Sequence, residues 1–577
     1  MKKRIIGVVG LVVSAVVVGG CGWSQSPTFD PKQIERMQVE NARQEPPHEM
    51  PAMPKALEPS SDDKGPTTLP YLQGPRRYGR DVPLTLQEAI HRTVMNSLEV
   101  RVAGFQPAID EARILEAESR FDPLVFAEGK IDQQYPQGIG GGSLNPLKIM
   151  TQSLDAGFRQ NLTNGGQMEL KYSVQRTSSF VRPAQSFLPA TTQPTFYQND
   201  LTLSLTQPLL RDFGASANLA RITIARNDFK ISLFDFRDKL EKQLQNVEET
   251  YWQLLLSQRE VGIQQQLLDD TKKMQDLLVN RMRAGGDVSN VQVSQARGTL
   301  ELRHVDLVRE RYRINELSAK LKGLMNDPDL AVTSPTVIVA TDLPVEDPID
   351  YDLSDQIEAG LQNRLELMQQ TLRIDSAQAV VKAAENNVLP KLDATMQVGL
   401  MGLGFNFNDA VKSQGNTDFI TYGLGFQFEV PIGNRQARAI YQRTLLQKQQ
   451  AIDQWKLTSE NVAVEVSVAL NTVRQSYELL VASKRARMAA EDALKTIEAR
   501  EQAAEPLTPT FVELKLSRQS ALADSQRQEV QAAIAYNVAL EALEKAKGTL
   551  LRYNNVVMKE EKGPMFLKMS VIKEKKK

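Results

Sequence analysis

The sequence predicts a mainly helical fold with a transmembrane β-barrel portion, built twice over within one chain. Three observations carry this expectation. Residues 215–283 and 434–502 are each free of proline, and apolar residues recur in them at a seven-residue spacing. Before each lies a region where apolar and polar residues alternate with a period of two. Before those regions, 84–119 and 352–389 match without gaps at an offset of 267.

The chain begins with Lys2, Lys3 and Arg4, followed by the apolar run Ile5 to Val18. A charged segment followed by an apolar segment too short to span a bilayer is a signal peptide, here 1–20. Val18-Gly19-Gly20-Cys21 resembles the lipobox of bacterial lipoproteins, in which the cysteine is acylated. Cys21 is the only cysteine in the chain, so it is the lipidation candidate and no disulfide within the chain is available. Several acyl chains on one residue give a stable anchor. Gly22 follows, not the Asp that marks inner-membrane retention in lipoproteins of enteric type, which favours the outer membrane. Residues 22–83 hold eleven prolines, a composition that breaks helices and reads as a disordered tether.

The first repeat is placed at 84–330. Leu84 to Ser119 reads as helix, interrupted only by Pro107. Strands are expected within about 121–212. Leu201 to Thr206 alternates strictly, and Met168, Leu170, Tyr172 and Val174 alternate with Glu169, Lys171, Ser173 and Gln175, after an Asn164-Gly165-Gly166 turn signal. An additional hairpin near 153–177 makes this region longer than its counterpart. The long helix 215–283 carries Leu233, Leu240, Val247, Leu254, Val261 and Leu268 in one heptad register, which implies left-handed supercoiling. It turns at Ala284-Gly285-Gly286-Asp287, and a helix of about 288–325 runs back.

After a linker at 331–351 the plan recurs in a second repeat, 352–553. Asn363-x-Leu365-Glu366 matches Asn96-x-Leu98-Glu99, and Glu385-x4-Pro390 matches Glu118-x4-Pro123. Strands are expected within about 390–431, where Leu392, Met396, Val398 and Leu400, and Tyr422, Leu424, Phe426, Phe428 and Val430, define apolar faces. The long helix 434–502 places Trp455, Val462, Ala469, Ala490 and Ile497 in one register. It ends near Pro506-Leu507-Thr508-Pro509, and residues 510–551 run back. Residues 554–577 form a basic tail.

Composition excludes several functions. Lys and Arg total 69 and Asp and Glu 70, so a nucleic-acid partner has no electrostatic support. A mean hydropathy of -0.35 excludes a polytopic helical membrane protein. His48, His91 and His304 are far apart, there is no phosphate-binding loop, and charges are interspersed along helices. No enzyme activity, cofactor or metal is expected.

The order helix, strands, long helix, turn and returning helix, repeated once, resembles the TolC-like outer-membrane efflux protein family over 84–553. Leu84-Thr85-Leu86-Gln87-Glu88-Ala89-Ile90, Gln207-Pro208-Leu209 at a strand end and Arg283-Ala284-Gly285-Gly286 at the first tip carry the likeness. The resemblance implies long antiparallel coiled-coil helices forming an α-barrel tunnel, with strands contributed to a trimeric outer-membrane barrel. It further implies a lipoprotein-type exit duct of a tripartite efflux or type I secretion system, working with a periplasmic adaptor and an inner-membrane pump. The strand shortage supports a homotrimer in outer-membrane lipid, because few strands cannot close a barrel and an open edge is not viable in lipid. In the family the tips close the tunnel and dock the adaptor, which marks Gly285, Gly286, Asp287, Leu507, Thr508 and Glu513. The second tip departs from the pattern, with Pro506 and Pro509 in place of glycine. A ring of Glu513 carboxylates would favour cations. The competing reading is a lipid-anchored structural coiled-coil protein of the envelope without transport, for which period-two apolar faces have no use.

Overall fold

The first described strand enters a helix whose start is fixed by Thr85, whose hydroxyl accepts the Glu88 N–H at 3.2 Å. The computed structural model describes residues 81–135, 144–183, 191–285, 288–415, 419–502, 507–559 and 568–571. Cys21 and its signal segment, residues 22–80 of the proline-rich stretch, Gly286 and Asp287 lie outside the described residues.

In chain order the elements are β1 (Asp81–Leu84), α1 (Leu86–Asn96), α2 (Leu98–Glu118), β2 (Leu124–Gln134), β3 (Leu144–Asn161), β4 (Gln167–Pro183), β5 (Thr191–Thr192), β6 (Phe196–Pro208), α3 (Ala215–Asn218), α4 (Ala220–Arg283) and α5 (Asn290–Met325). Then come β7 (Val337–Ala340), α6 (Leu353–Asn363), α7 (Leu365–Val388), β8 (Lys391–Gly404), α8 (Phe407–Gly415), β9 (Ile420–Glu429), α9 (Arg435–Gln502), α10 (Pro509–Ala546), α11 (Leu550–Tyr553), β10 (Val556–Lys559) and β11 (Lys568–Val571). Among the described residues no helix is long and apolar enough to cross a membrane.

Each helix expected before the strands is in fact two. Ser97 (φ -58°, ψ 124°) separates α1 from α2, and Arg364 (φ -65°, ψ 126°) separates α6 from α7. One extended residue is enough to end a helix and start the next in a new direction. The two breaks fall at equivalent positions of the repeat, so the duplication reaches down to single backbone dihedrals. Pro107 lies buried within α2 and does not end it.

The long helices α4 and α9 have 64 and 68 residues, each about 100 Å of helix. α4 pairs with the returning α5, and α9 with α10. Leu240, Val247 and Leu254 of the first heptad register are fully buried. In the second register Val462, Ser476 and Ile497 are buried, while Trp455 is exposed.

Two stretches in which the sequence marked no strand carry one. β1 pairs in parallel with β7, inside the predicted linker, with Asp81 opposite Val337. Tyr251 of α4 locks this clasp: its hydroxyl donates to the Asp342 carboxylate at 2.6 Å, and that carboxylate also accepts the Leu86 N–H at 2.6 Å. Leu84, Tyr251, Leu254, Leu321 and Ile338 form the core beneath. Within the predicted basic tail, β10 and β11 form an antiparallel pair.

The remaining strands form one antiparallel sheet in the order β2-β3-β4-β6-β8-β9, with β5 on β4. The hairpin predicted near 153–177 is β3–β4, and it lies within this sheet between β2 and β6. Helix α8, between β8 and β9, had no signal in the alternation. It lies so close on β8 that a Cβ at Gly402 would sit 2.1 Å from the Ala410 carbonyl oxygen. Glycine is therefore required there.

Candidate functional site

Because the strands alternate near their helix-proximal ends and the registers are in step, the sheet has two chemically distinct faces there, the apolar one giving way to Gln152, Arg176 and Asn199 farther out. Across one row, Ala127 of β2 faces Ala156 of β3, then Tyr172 of β4, Leu201 of β6 and Leu400 of β8, which faces Ile420 of β9. One step along, Glu128, Asp155, Ser173 and Asp200 align on the opposite face. The apolar face is open to solvent in the isolated chain: Tyr422 is 84% and Leu424 70% exposed. The polar face carries paired charges, such as Arg159 with Glu169 at 2.7 Å and Lys391 with Asp393 at 3.3 Å. Such a sheet is suited to lipid on one side and water on the other.

At the far ends of the long helices the two turns pack together. Gly285 has φ 75°, a conformation that a Cβ would strain, and this sets the reversal after α4. Thr508 caps α10 by accepting the Phe511 N–H at 3.2 Å, and Pro509 occupies the first helical position, where its missing donor costs nothing. Leu507 is 2% exposed and packs with Leu278, Val288, Phe511 and Val512. Its carbonyl accepts the buried Gln292 side-chain amide at 2.5 Å, joining the two turns. Thus Leu507 is a packing residue inside the joined tips, while Glu513 is exposed one turn into α10. Arg500 stacks 5.7 Å from the Phe511 ring.

Arg303 of α5 ties three helices together near these tips. Its guanidinium donates to the Leu516 carbonyl at 3.0 Å, to Ser520 Oγ at 2.9 Å, and to Thr271. Burial pulls its pKa down to about 10.

A second cluster went unnoticed in the sequence. Glu248 of α4 and Glu541 of α10 are both buried. Trp252 Nε1 donates to Glu541 Oε1 at 2.6 Å, and Asn554 donates to Glu248. Burial pushes the Glu541 carboxyl up to about 7. Burial, then the neighbouring Glu541, holds the Glu248 carboxyl well above its usual range. A cavity of about 340 Å³ opens beside the pair, lined by Trp252, Asp342, Asn537, Glu541 and Asn554. The available signal was an acid inside an apolar stretch, Leu540-Glu541-Ala542-Leu543. Among the described residues no group of three or more His, Cys, Asp or Glu side chains is arranged to hold a metal.

Residues 166–327, from β4 through α5, match the family model described as outer membrane efflux protein. No curated protein sequence matches the chain. Among solved structures, the outer-membrane channel OprN is similar with a TM-score of 0.58 at 14% identity, covering 80% of this chain and 90% of that one. CusC, whose crystal structures concern folding and transmembrane channel formation, gives a TM-score of 0.57 at 15% identity, covering 80% and 92%. The CmeC outer membrane channel of Campylobacter jejuni gives 0.56 at 14%, covering 81% and 86%. The fold is therefore that of the TolC-like channels: long antiparallel helical hairpins joined to barrel strands within a duplicated chain.

Proposed function

We propose that the chain is the exit duct of an export system in the bacterial outer membrane, a passive conduit and not an enzyme. The observation that carries this reading is the sheet with an apolar band on one face and charges on the other, mounted on helices of about 100 Å. A coiled-coil rod has no use for such a sheet, which disfavours the purely structural reading. The energy for export comes from an inner-membrane pump, coupled through a periplasmic adaptor. Three copies complete the duct, and acylation of Cys21 anchors it.

The tips form the gate and the docking end. Gly285 sets one turn, Leu507 and Thr508 hold the other, and Glu513 projects where one carboxylate per protomer would crowd the axis. Crowded carboxylates draw cations and repel anions. The test is planar-bilayer recording of the purified oligomer. Wild type should conduct with cation preference, and Glu513→Lys should reverse that preference. Absence of any conductance would defeat the duct; unchanged selectivity in the Lys form would defeat only the gate assignment.

A further inference from the structure

The two repeats contribute unequally to the sheet, and the inequality sets the size of the barrel. In the second repeat two strands, β8 and β9, leave and re-enter the helical part. By the duplication their counterparts are β2, which follows α2, and β6, which leads into α3 and α4. In the second repeat the two strands are hydrogen-bonded neighbours. In the first they are held apart by β3 and β4, which pair with each other over almost their whole lengths. The hairpin Leu144–Pro183 is thus an insertion placed in the sheet rather than beside it.

Six strands in this order leave two edges, β2 and β9, each hydrogen-bonded on one side only among the described residues. In hydrocarbon an unpaired edge is prohibitive. Every neighbouring pair is antiparallel, so with an even count β2 and β9 point in opposite directions. The β9 edge of one copy can therefore accept the β2 edge of the next as an ordinary antiparallel pair, and rotation closes the ring. An odd count would force a parallel joint. The edges also match in length, at 11 and 10 residues, the span needed to cross a membrane when tilted. With the helix-proximal ends of the two strands aligned, Gly129 lies opposite Leu424. Both belong to the apolar face, so that face runs on unbroken across the joint.

Building on the duct reading, we propose that a second copy of this chain pairs its β2 with β9, and that three copies enclose a wall of eighteen strands with β3 and β4 as lining members. Without the inserted hairpin the same symmetry would give twelve. At a strand spacing of about 4.8 Å and a tilt of about 40°, eighteen strands enclose a backbone diameter of about 36 Å, against about 24 Å for twelve. Porins of that strand number keep an aqueous channel. The inserted hairpin widens the mouth, and the polar atoms it adds to the lumen include Asp155, Ser173 and Lys171.

Cys21 is the only natural cysteine, which makes thiol mapping direct. Gly129→Cys is combined in turn with Tyr422→Cys, Leu424→Cys and Phe426→Cys, to allow for register, and the membrane-embedded protein is oxidised. One pair should give a covalent ladder ending at the trimer, at least tenfold above either single variant. Separately, Ser173→Cys is treated with a charged, membrane-impermeant thiol reagent during single-channel recording. Conductance should drop stepwise, up to three times per channel. A conducting channel with no β2–β9 cross-link in any pairing, or with conductance unchanged on full modification of Ser173→Cys, overturns the eighteen-strand wall and leaves the duct standing. A cross-linked trimer that conducts nothing overturns the duct and leaves the wall standing.

Discussion

The helical hairpins and the strand sheet use the same aliphatic and aromatic residues to opposite ends. Leu240, Leu244 and Leu254 along α4 are sealed between helices of their own chain. Tyr422, Leu424 and Phe426 along β9 face outward with nothing of their own chain over them. The core positions of α4 are therefore covered by their own chain, whereas the apolar face of β9 is not, and neither are Leu446, Val464 and Val468 on the outer side of α9. A residue's apolar character says that it must leave water; only the topology says what replaces the water.

Four experiments would break or sharpen this contrast. The largest effect is expected from the core of the helical part: Leu254→Ala should cost about 2–5 kcal/mol in denaturant unfolding of the detergent-solubilised protein. A loss below about 1 kcal/mol would mean that α4 is not internally sealed. On the sheet, Leu424→Arg should disfavour membrane insertion by about 2–4 kcal/mol, whereas Gln397→Arg on the polar face should insert normally. Equal behaviour of the two would remove the distinction between faces.

The third experiment concerns the exception within the helical part, the buried acids Glu248 and Glu541. A carboxyl whose folded-state pKa is raised stabilises the fold fully below its unfolded value near 4.5, and that contribution is lost as pH rises through the folded value, for Glu541 about 7. Thermal stability of wild type should fall between these limits. Glu541→Gln keeps an acceptor for Trp252 and should flatten the profile, gaining roughly 1–2 kcal/mol at pH 8. A profile of unchanged slope would show that the pair does not titrate in this range. The smallest effect is at the tips: Thr508→Ala removes the α10 cap and should cost about 1 kcal/mol, read as faster amide exchange confined to the first turn of α10.

Much of this fold was legible because its signals are long. A seven-residue period sustained from Leu233 to Leu268, and strict alternation at Leu201–Thr206 and Tyr422–Val430, leave few alternatives. What escaped was either short or nonlocal. The breaks at Ser97 and Arg364 need one residue each; serine is a common first cap of a helix, but arginine is not, and neither interrupts the apolar pattern around it. β1 and β7 are four residues apiece and acquire meaning only when paired across the first repeat. Helix α8 depends on the space above Gly402 and Gly404, which composition reveals only as a glycine-rich strand. Of the tip residues, Gly285 carried its own conformational signal and Thr508 followed from its place before Pro509. Leu507 is buried and Glu513 exposed, as their side chains alone suggest, but nothing local showed that Leu507 packs against the other turn. The Glu248–Glu541 pair joins two helices from different repeats, so Glu541 within its apolar stretch marked a buried acid but not its partner.

The clasp between β1 and β7 also has a consequence in time. Its Leu86–Asp342 hydrogen bond joins residues 256 apart. Closing a loop of that length costs on the order of 5 kcal/mol in chain entropy before any contact returns it. Parallel pairing across such a distance is slow, since nonlocal contacts form late. The opening segment of the first repeat emerges long before its partner strand exists, and it stays without that partner until the whole first hairpin, α4 and α5, has been made. The clasp is thus among the last parts of the first repeat to set, closing only once the chain has passed Ala340.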